Sequence, residues 1–116
     1  MKFVCYTRCT SCKRARKWLD EHGLAYEVRD IKEDNPTAAE LKTWHEISGL
    51  PIGRFWNTSG VQYRALNLKE KRPTMGEGEQ IDFLATDGML VKRPILVGDG
   101  FVLVGFKEAE WIAELL

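Results

Sequence analysis

Near the start of the chain, two thiols share a Cys-x-x-Cys spacing in Cys9-Thr10-Ser11-Cys12. A thiol reacts as its thiolate, and a free cysteine is mostly protonated at neutral pH. The surroundings of this pair therefore decide its chemistry. An apolar run, Phe3 to Tyr6, precedes it, and the pattern turns helical from Ser11. Cys9 thus sits where a helix is about to begin. The amides of Ser11 and Cys12 can point back at its sulfur, and the positive end of the helix dipole favours an anion there. Arg8 and Lys13 act in the same direction, with Arg14, Arg16 and Lys17 close behind. Cys12, one turn further along, is expected to be more buried and less acidic. These positions assign Cys9 as attacking nucleophile and Cys12 as resolving thiol. Cys9 would form an adduct or mixed disulfide, and Cys12 would displace it to close a disulfide.

Two other readings of the pair stand beside this one. Both cysteines can be inert core or cap residues, or they can belong to a zinc site. A structural zinc site usually needs four ligands. Only His22, His45 and Cys5 remain to supply them, and Cys5 lies inside the apolar run, where it reads as a small buried hydrophobe. No metal is expected on that count. Arg54 and Arg93 are further candidates, each flanked by apolar residues outside any repeating pattern. A guanidinium beside a thiolate would lower its pKa and could grip a tetrahedral oxyanion with two hydrogen bonds. The alternative for both is an ordinary surface arginine. Pro94, just before an apolar run, is a candidate cis proline.

The elements that must position these residues follow from periodicity. Lys2 to Tyr6 reads as a buried strand. The helix after it puts Cys12, Ala15 and Leu19 on one face, with Trp18 and His22 beside it, and Gly23 supplies its stop. Ala25 to Ile31 alternates with strand period, completing a βαβ unit with an expected right-handed crossover. Thr37 and Glu40 form a capping box before a helix whose buried stripe is Leu41, Trp44 and Ile47. Gly49 ends it and Pro51 prevents its continuation.

The middle, Leu50 to Pro73, is the least periodic part. It suggests short helices around Gly53 to Trp56 and Leu66 to Lys71, separated by the turn Asn57-Thr58-Ser59-Gly60. A further helix spans Glu77 to Ala85, its start weakened by Gly76 and Gly78. Arg93 to Val97 and Phe101 to Val104 read as a hairpin around Gly98-Asp99-Gly100. Glu108 to Leu116 closes the chain as a helix burying Trp111, Ile112 and Leu115. The order implies an α/β fold: a four-stranded mixed sheet flanked by helices on both faces. A helical insert, about 36–88, separates the βαβ and ββα halves.

Bulk properties narrow the function classes. A length of 116 residues suits one domain spanning 1–116. Hydrophobic residues at 44% and charged residues at 29% support a packed core and argue against disorder. Lys plus Arg number 17 and so do Asp plus Glu, so no global field draws the chain to nucleic acid or an anionic membrane. No apolar run approaches bilayer-spanning length, and Met1-Lys2-Phe3 shows no charged leader before a long apolar core. A cytoplasmic location is expected. There a close cysteine pair is more often catalytic, sensing or metal-binding than structural.

Taken as an ordered set, certain stretches resemble the arsenate reductase ArsC/Spx family, a branch of the thioredoxin-like (glutaredoxin-like) fold. They run from Cys9-Thr10-Ser11-Cys12-Lys13-Arg14-Ala15-Arg16-Lys17-Trp18-Leu19 through His22-Gly23 and Leu50-Pro51 to Arg54-Phe55 and Asn57-Thr58-Ser59-Gly60. They continue with Asp87-Gly88-Met89-Leu90, Lys92-Arg93-Pro94-Ile95 and Val102-Leu103-Val104-Gly105-Phe106-Lys107. The resemblance covers nearly the whole chain. It implies that the family's active-site cysteine falls on Cys9, two of its three oxyanion-binding arginines on Arg54 and Arg93, and its cis proline on Pro94. The third arginine falls near Gly105, where none stands. Glutathione-dependent members carry Ser at the place of Cys12, so the second thiol implies an intramolecular disulfide instead. The expected function is a cytosolic thiol-disulfide oxidoreductase that resembles arsenate reductase. It would hold no bound cofactor and would be reset by an external thiol reductant: thioredoxin, glutaredoxin or a low-molecular-weight thiol. An oxyanion held by Arg54 and Arg93 is the other candidate substrate. Spx-type members use the same motif as a redox switch while bound to RNA polymerase, without binding DNA themselves. A redox-sensing transcriptional regulator is accordingly the competing expectation. The segments Phe55 to Tyr63 and Val102 to Phe106 look closer to reductase-like members than to Spx.

Overall fold

The computed structural model describes all residues, 1–116. The first strand, β1 (Lys2–Cys5), leads into α1 (Thr10–Glu21), β2 (Glu27–Asp30) and α2 (Ala38–Ser48). Three short helices follow: α3 (Val61–Ala65), α4 (Leu68–Lys71) and α5 (Glu77–Leu84). Then come β3 (Ile95–Val97), β4 (Val102–Val104) and α6 (Glu108–Leu115). Single 3-10 turns occupy Ile52–Phe55, Arg72–Thr74 and Gly88–Leu90. The strands form one mixed sheet in the order β2-β1-β3-β4. β1 is parallel to β2 and antiparallel to β3, and β3 pairs antiparallel with β4. The expected α/β architecture is the one observed.

After the exposed Lys2, β1 is apolar throughout because it lies between two strands and is covered on both faces. Its alternation sends Phe3 and Cys5 to one face, where they meet Cys12, Ala15, Trp18 and Leu19 of α1 and Trp111 of α6. Val4 faces the other way, into a core with Ile31, Leu41, Trp44, Phe55, Trp56 and Leu84. The sheet therefore separates α1 and α6 from α2 and the insert.

The start of α2 is set by chemistry the sequence shows. The Thr37 hydroxyl accepts from the Glu40 amide at 3.1 Å, and Glu40 Oε1 accepts from the Thr37 amide at 3.1 Å, forming a full capping box. The same carboxylate is gripped by Arg29 of β2, with Nη1 donating at 2.6 Å and Nη2 at 2.9 Å. Gly49 ends the helix in the left-handed conformation, at φ 67°.

Several expectations need correction. β2 is shorter than Ala25 to Ile31. It is an edge strand with β1 on one side only, and Val28 is 47% exposed. Ile47 and Ile112 were expected in the buried stripes of their helices but are 45% and 44% exposed. Both helices cover the sheet with a narrower face than the apolar pattern suggests, Leu41 and Trp44 in α2 and Trp111 in α6. α3 lay outside the expected helices, and the helix expected from Leu66 begins at Leu68, because Asn67 takes a left-handed backbone at φ 53°.

The insert has its own polar centre. Gln80, which is buried, accepts from Trp56 Nε1 at 3.0 Å and from Arg72 Nε at 3.3 Å, and donates to the Met75 carbonyl at 3.2 Å. Arg72 also lies over the Trp56 ring and donates to the Tyr63 hydroxyl. Every polar atom of the Gln80 side chain is thereby satisfied, as burial requires.

The hydrogen bond with Arg29 holds the Glu40 carboxyl down at about 2, from an ordinary value of 4.5. A carboxylate with a depressed folded value stabilises fully above its unfolded value and loses that contribution as the pH falls through the folded one. Because the Glu40 side chain is 34% exposed, solvent screening limits the effect. Glu40→Gln is expected to cost about 1–2 kcal/mol at neutral pH, cap and ion pair together. In denaturant titrations across pH, the difference from wild type should shrink between pH 4.5 and about 2.

Candidate active site

After β1 the chain turns at Tyr6 to Arg8, closed by the Cys9 amide donating to the Tyr6 carbonyl at 3.0 Å. Cys9 is the N-cap residue of α1, with extended backbone at φ −87° and ψ 123°, and its carbonyl accepts from Lys13. The helix-start position expected for it is therefore observed. The expected return bonds from the Ser11 and Cys12 amides are not: the Cys9 side chain makes no capping hydrogen bond. Its half-buried sulfur opens instead on a cleft.

Cys12 lies one turn inward and is 3% exposed. Its sulfur accepts from the Tyr6 amide at 3.3 Å. The thiol is pushed well above its ordinary value. Its hydrogen bond with Cys5 contributes most, then burial; the Tyr6 amide works against the rise, and a hydrogen bond with Cys9 adds to it. Cys5, at the end of β1, is buried on the same face of the sheet. All three cysteines are free thiols.

The cleft above Cys9 holds about 230 Å³ and is lined by Tyr6, Arg8, Ser11, Asn57, Ser59, Gly60, Lys92 and Arg93. Its cations number three and it has no carboxylate, although the whole chain is neutral. Arg93 is held in place by its guanidinium over the Tyr6 ring, 5.4 Å from the centroid, and by Nη1 donating to the Met89 carbonyl at 3.2 Å. The Arg93–Pro94 peptide is cis, as expected.

Arg54 is placed differently. It lines an adjoining depression of about 360 Å³ with Lys92, Gly105 and Lys107, and this depression shares Ser11 and Lys92 with the Cys9 cleft. Its Nη2 donates to the Val104 carbonyl at 3.1 Å and to Glu110 at 3.2 Å. The structure thus brings Cys9, Cys12, Arg93 and Pro94 to one end of the sheet, with Arg54 in the neighbouring hollow and already paired.

Two residues here escaped the sequence reading. Lys92 lines both hollows, and its stem lies over Gly105, where a Cβ would come within 3.1 Å of Lys92 Cε. Consecutive cations before a strand were its one visible signal. Asn57 forms the far wall through the insert: its amide donates to the Leu90 carbonyl, and the Lys92 amide to Phe55, both at 2.8 Å. No three His, Cys, Asp or Glu side chains converge in a way that could hold a metal. A larger hollow of about 580 Å³ lies at the other end of β1, beside Met1 and Lys2, and contains no thiol.

The ArsC family model matches residues 5–113, from the end of β1 into α6. The chain belongs to the ArsC family. An ArsC family related protein from Bacteroides fragilis superposes with a TM-score of 0.95 at 54% identity, over 97% of this chain and 94% of that one. A possible arsenate reductase from Streptococcus mutans superposes at 0.89 with 40% identity, over 98% and 97%. The uncharacterized protein YusI of Bacillus subtilis is 48% identical over 96% of this chain and 94% of its own. Regulators also belong among the relatives. The regulatory protein MgsR of Bacillus subtilis is 28% identical over 95% of this chain and 86% of its own. A global transcriptional regulator Spx from Staphylococcus epidermidis is 28% identical over 88% and 76%. The mixed four-stranded sheet is thioredoxin-like, and both a possible reductase and regulators stand among the chain's relatives.

Burial separates the two thiols of the motif. Cys9 is expected to alkylate with iodoacetamide well before Cys12, whose modification should wait for unfolding. Peptide mapping of a time course checks this, and equal rates would remove the distinction between the two roles.

Proposed function

We propose that this ArsC-family chain is a cytoplasmic thiol-disulfide oxidoreductase in which Cys9 is the nucleophile and Cys12 the resolving thiol. The observation that carries the reading is the cleft: an accessible sulfur at a helix start, rimmed by Arg8, Lys92 and Arg93, with a second thiol directly beneath. Cys9 Sγ attacks one sulfur of an oxidised substrate. The substrate's S–S bond breaks, and its departing sulfur takes a proton. Cys12 then attacks Cys9 Sγ, releases the bound substrate sulfur as a thiol and closes a Cys9–Cys12 disulfide. An external thiol reductant (thioredoxin, glutaredoxin or a small thiol) returns both cysteines to the reduced state. No bound cofactor is needed for these steps.

The cationic rim favours substrates carrying negative charge near the reacting sulfur. An oxyanion is the other substrate that this rim suits. At Cys9 it would meet Arg93, Lys92 and Arg8. Arg54, already paired with Glu110, would contribute field from the neighbouring hollow.

The MgsR and Spx relatives support a second reading, a redox-sensing regulator that binds RNA polymerase and responds through the same cysteines. Turnover separates the two. With a thiol-regenerating system, the protein should reduce an acidic model disulfide, and Cys9→Ser should abolish the activity. Lys92→Ala and Arg93→Ala should each raise KM by about tenfold for an anionic substrate, equivalent to about 1.4 kcal/mol, and less for a neutral one. Absence of turnover, combined with redox-dependent retention of an RNA polymerase subunit in a pull-down, would establish the regulator.

A further inference from the structure

The proposed reaction uses two of three neighbouring thiols. Cys5 is left over, and its position is unusual for a spare hydrophobe. It ends β1 on the face covered by α1, in the same packed cluster as Cys12. The Cys12 sulfur is seated against the backbone that leaves Cys5, accepting from the amide of the next residue, Tyr6, at 3.3 Å. Cys9 packs against the same cluster, and the Cys5 and Cys9 thiols both push the Cys12 thiol up. Cys9 is half-buried, while Cys12 and Cys5 are both buried, at 3% and 5% exposed. The middle sulfur can therefore bond in either direction.

We infer that Cys5 and Cys12 form a second redox-active disulfide site, which takes over the oxidation first captured as a Cys9–Cys12 bond. The inference rests on the proposed thiol chemistry for its source of oxidation. The exchange is balanced within the chain. The Cys5 sulfur, losing its proton, attacks Cys12 Sγ. The Cys5–Cys12 bond forms, the Cys9–Cys12 bond breaks, and Cys9 leaves as a thiolate that takes up a proton. No electrons enter or leave. Attack falls on Cys12 because that is the sulfur in contact with Cys5. The result is a chain that holds two oxidising equivalents beneath its surface while Cys9 is again free at the cleft. A second oxidised substrate could then be engaged before the reductant arrives. The inner bond, being buried, would be released by reversal through Cys9.

Tryptic cleavage makes the test direct. Lys2, Arg8 and Lys13 bound two peptides, one carrying Cys5 and the other carrying both Cys9 and Cys12. A Cys9–Cys12 bond stays inside one peptide, whereas a Cys5–Cys12 bond joins the two. The full-length C9S protein, oxidised with diamide and blocked with iodoacetamide, should yield the joined pair from most of its monomer, lost again on reduction. Full alkylation of Cys5 and Cys12 after denaturation, or joining found only in covalent dimers, overturns the inference. In wild type, the joined pair should accumulate after the loop within the second peptide, and C5A should retain only the loop. If C9S joins the peptides but wild type never forms the loop and shows no turnover, the inner site stands and the proposed outer chemistry fails. If wild type turns over and C9S stays unjoined, the reverse holds.

Discussion

The site depends on two backbone hydrogen bonds that tie the insert to the lead-in of β3: Asn57 to Leu90 and Phe55 to Lys92, with Trp56 bridging Val91 between them. Together they make the one isolated β-bridge outside the four strands. On one side they deliver Asn57, Ser59 and Gly60 to the cleft. On the other they fix the stretch that carries Lys92 and Arg93. Cys9 itself is positioned by β1 and α1 alone, but without this bridge its cleft would have one wall. The buried anchor beneath it is Trp56, packed in the core and satisfied by Gln80. Packing in the insert and charge around the thiol are therefore coupled through a few residues.

The sheet divides the molecule's tasks. On the α1 and α6 side, small side chains (Cys5, Cys12, Ala15) allow helix and strand to approach closely, and the aromatic group of Trp18, Phe106 and Trp111 fills the remaining space. That close approach is what puts sulfur next to sulfur. On the opposite face, the larger core of α2 and the insert carries the bulk of the apolar burial and contains no thiol. The three thiols and the larger of the two apolar cores thus occupy different faces of the sheet.

Much of this was legible in the sequence because local rules agreed with tertiary context. The α/β order, the Thr37–Glu40 box, the Gly49 stop, the position of Cys9 at a helix start and the burial of Cys12 all follow from short-range patterns. What failed required knowing neighbours. The alternation of β2 could not reveal that Val28 lies on an edge. The apolar residues Ile47 and Ile112 extend helix stripes beyond what the sheet covers. α3 is one turn long and begins at exposed Val61, so it has no amphipathic signature to read. In the site, Arg54 and Arg93 look alike in sequence and differ through distant partners: Glu110 and the Val104 carbonyl hold Arg54, each fifty or more residues away along the chain. Contact between Cys5 and Cys12 crosses from a strand to a helix through a turn, and no period links such positions.

Gly105 takes a left-handed backbone, φ 71°, and its missing side chain leaves room for the stem of Lys92. A larger residue at 105 would face both a strained backbone and an occupied space. A side chain at 105 would press on the Lys92 stem, whose flexible end would have to give by a few tenths of an ångström. Where the resemblance would place an arginine, this chain has a glycine, and Lys92, from the segment leading into β3, brings a cation to the same hollow. The hollow therefore stays cationic through Arg54, Lys92 and Lys107 with no side chain at 105.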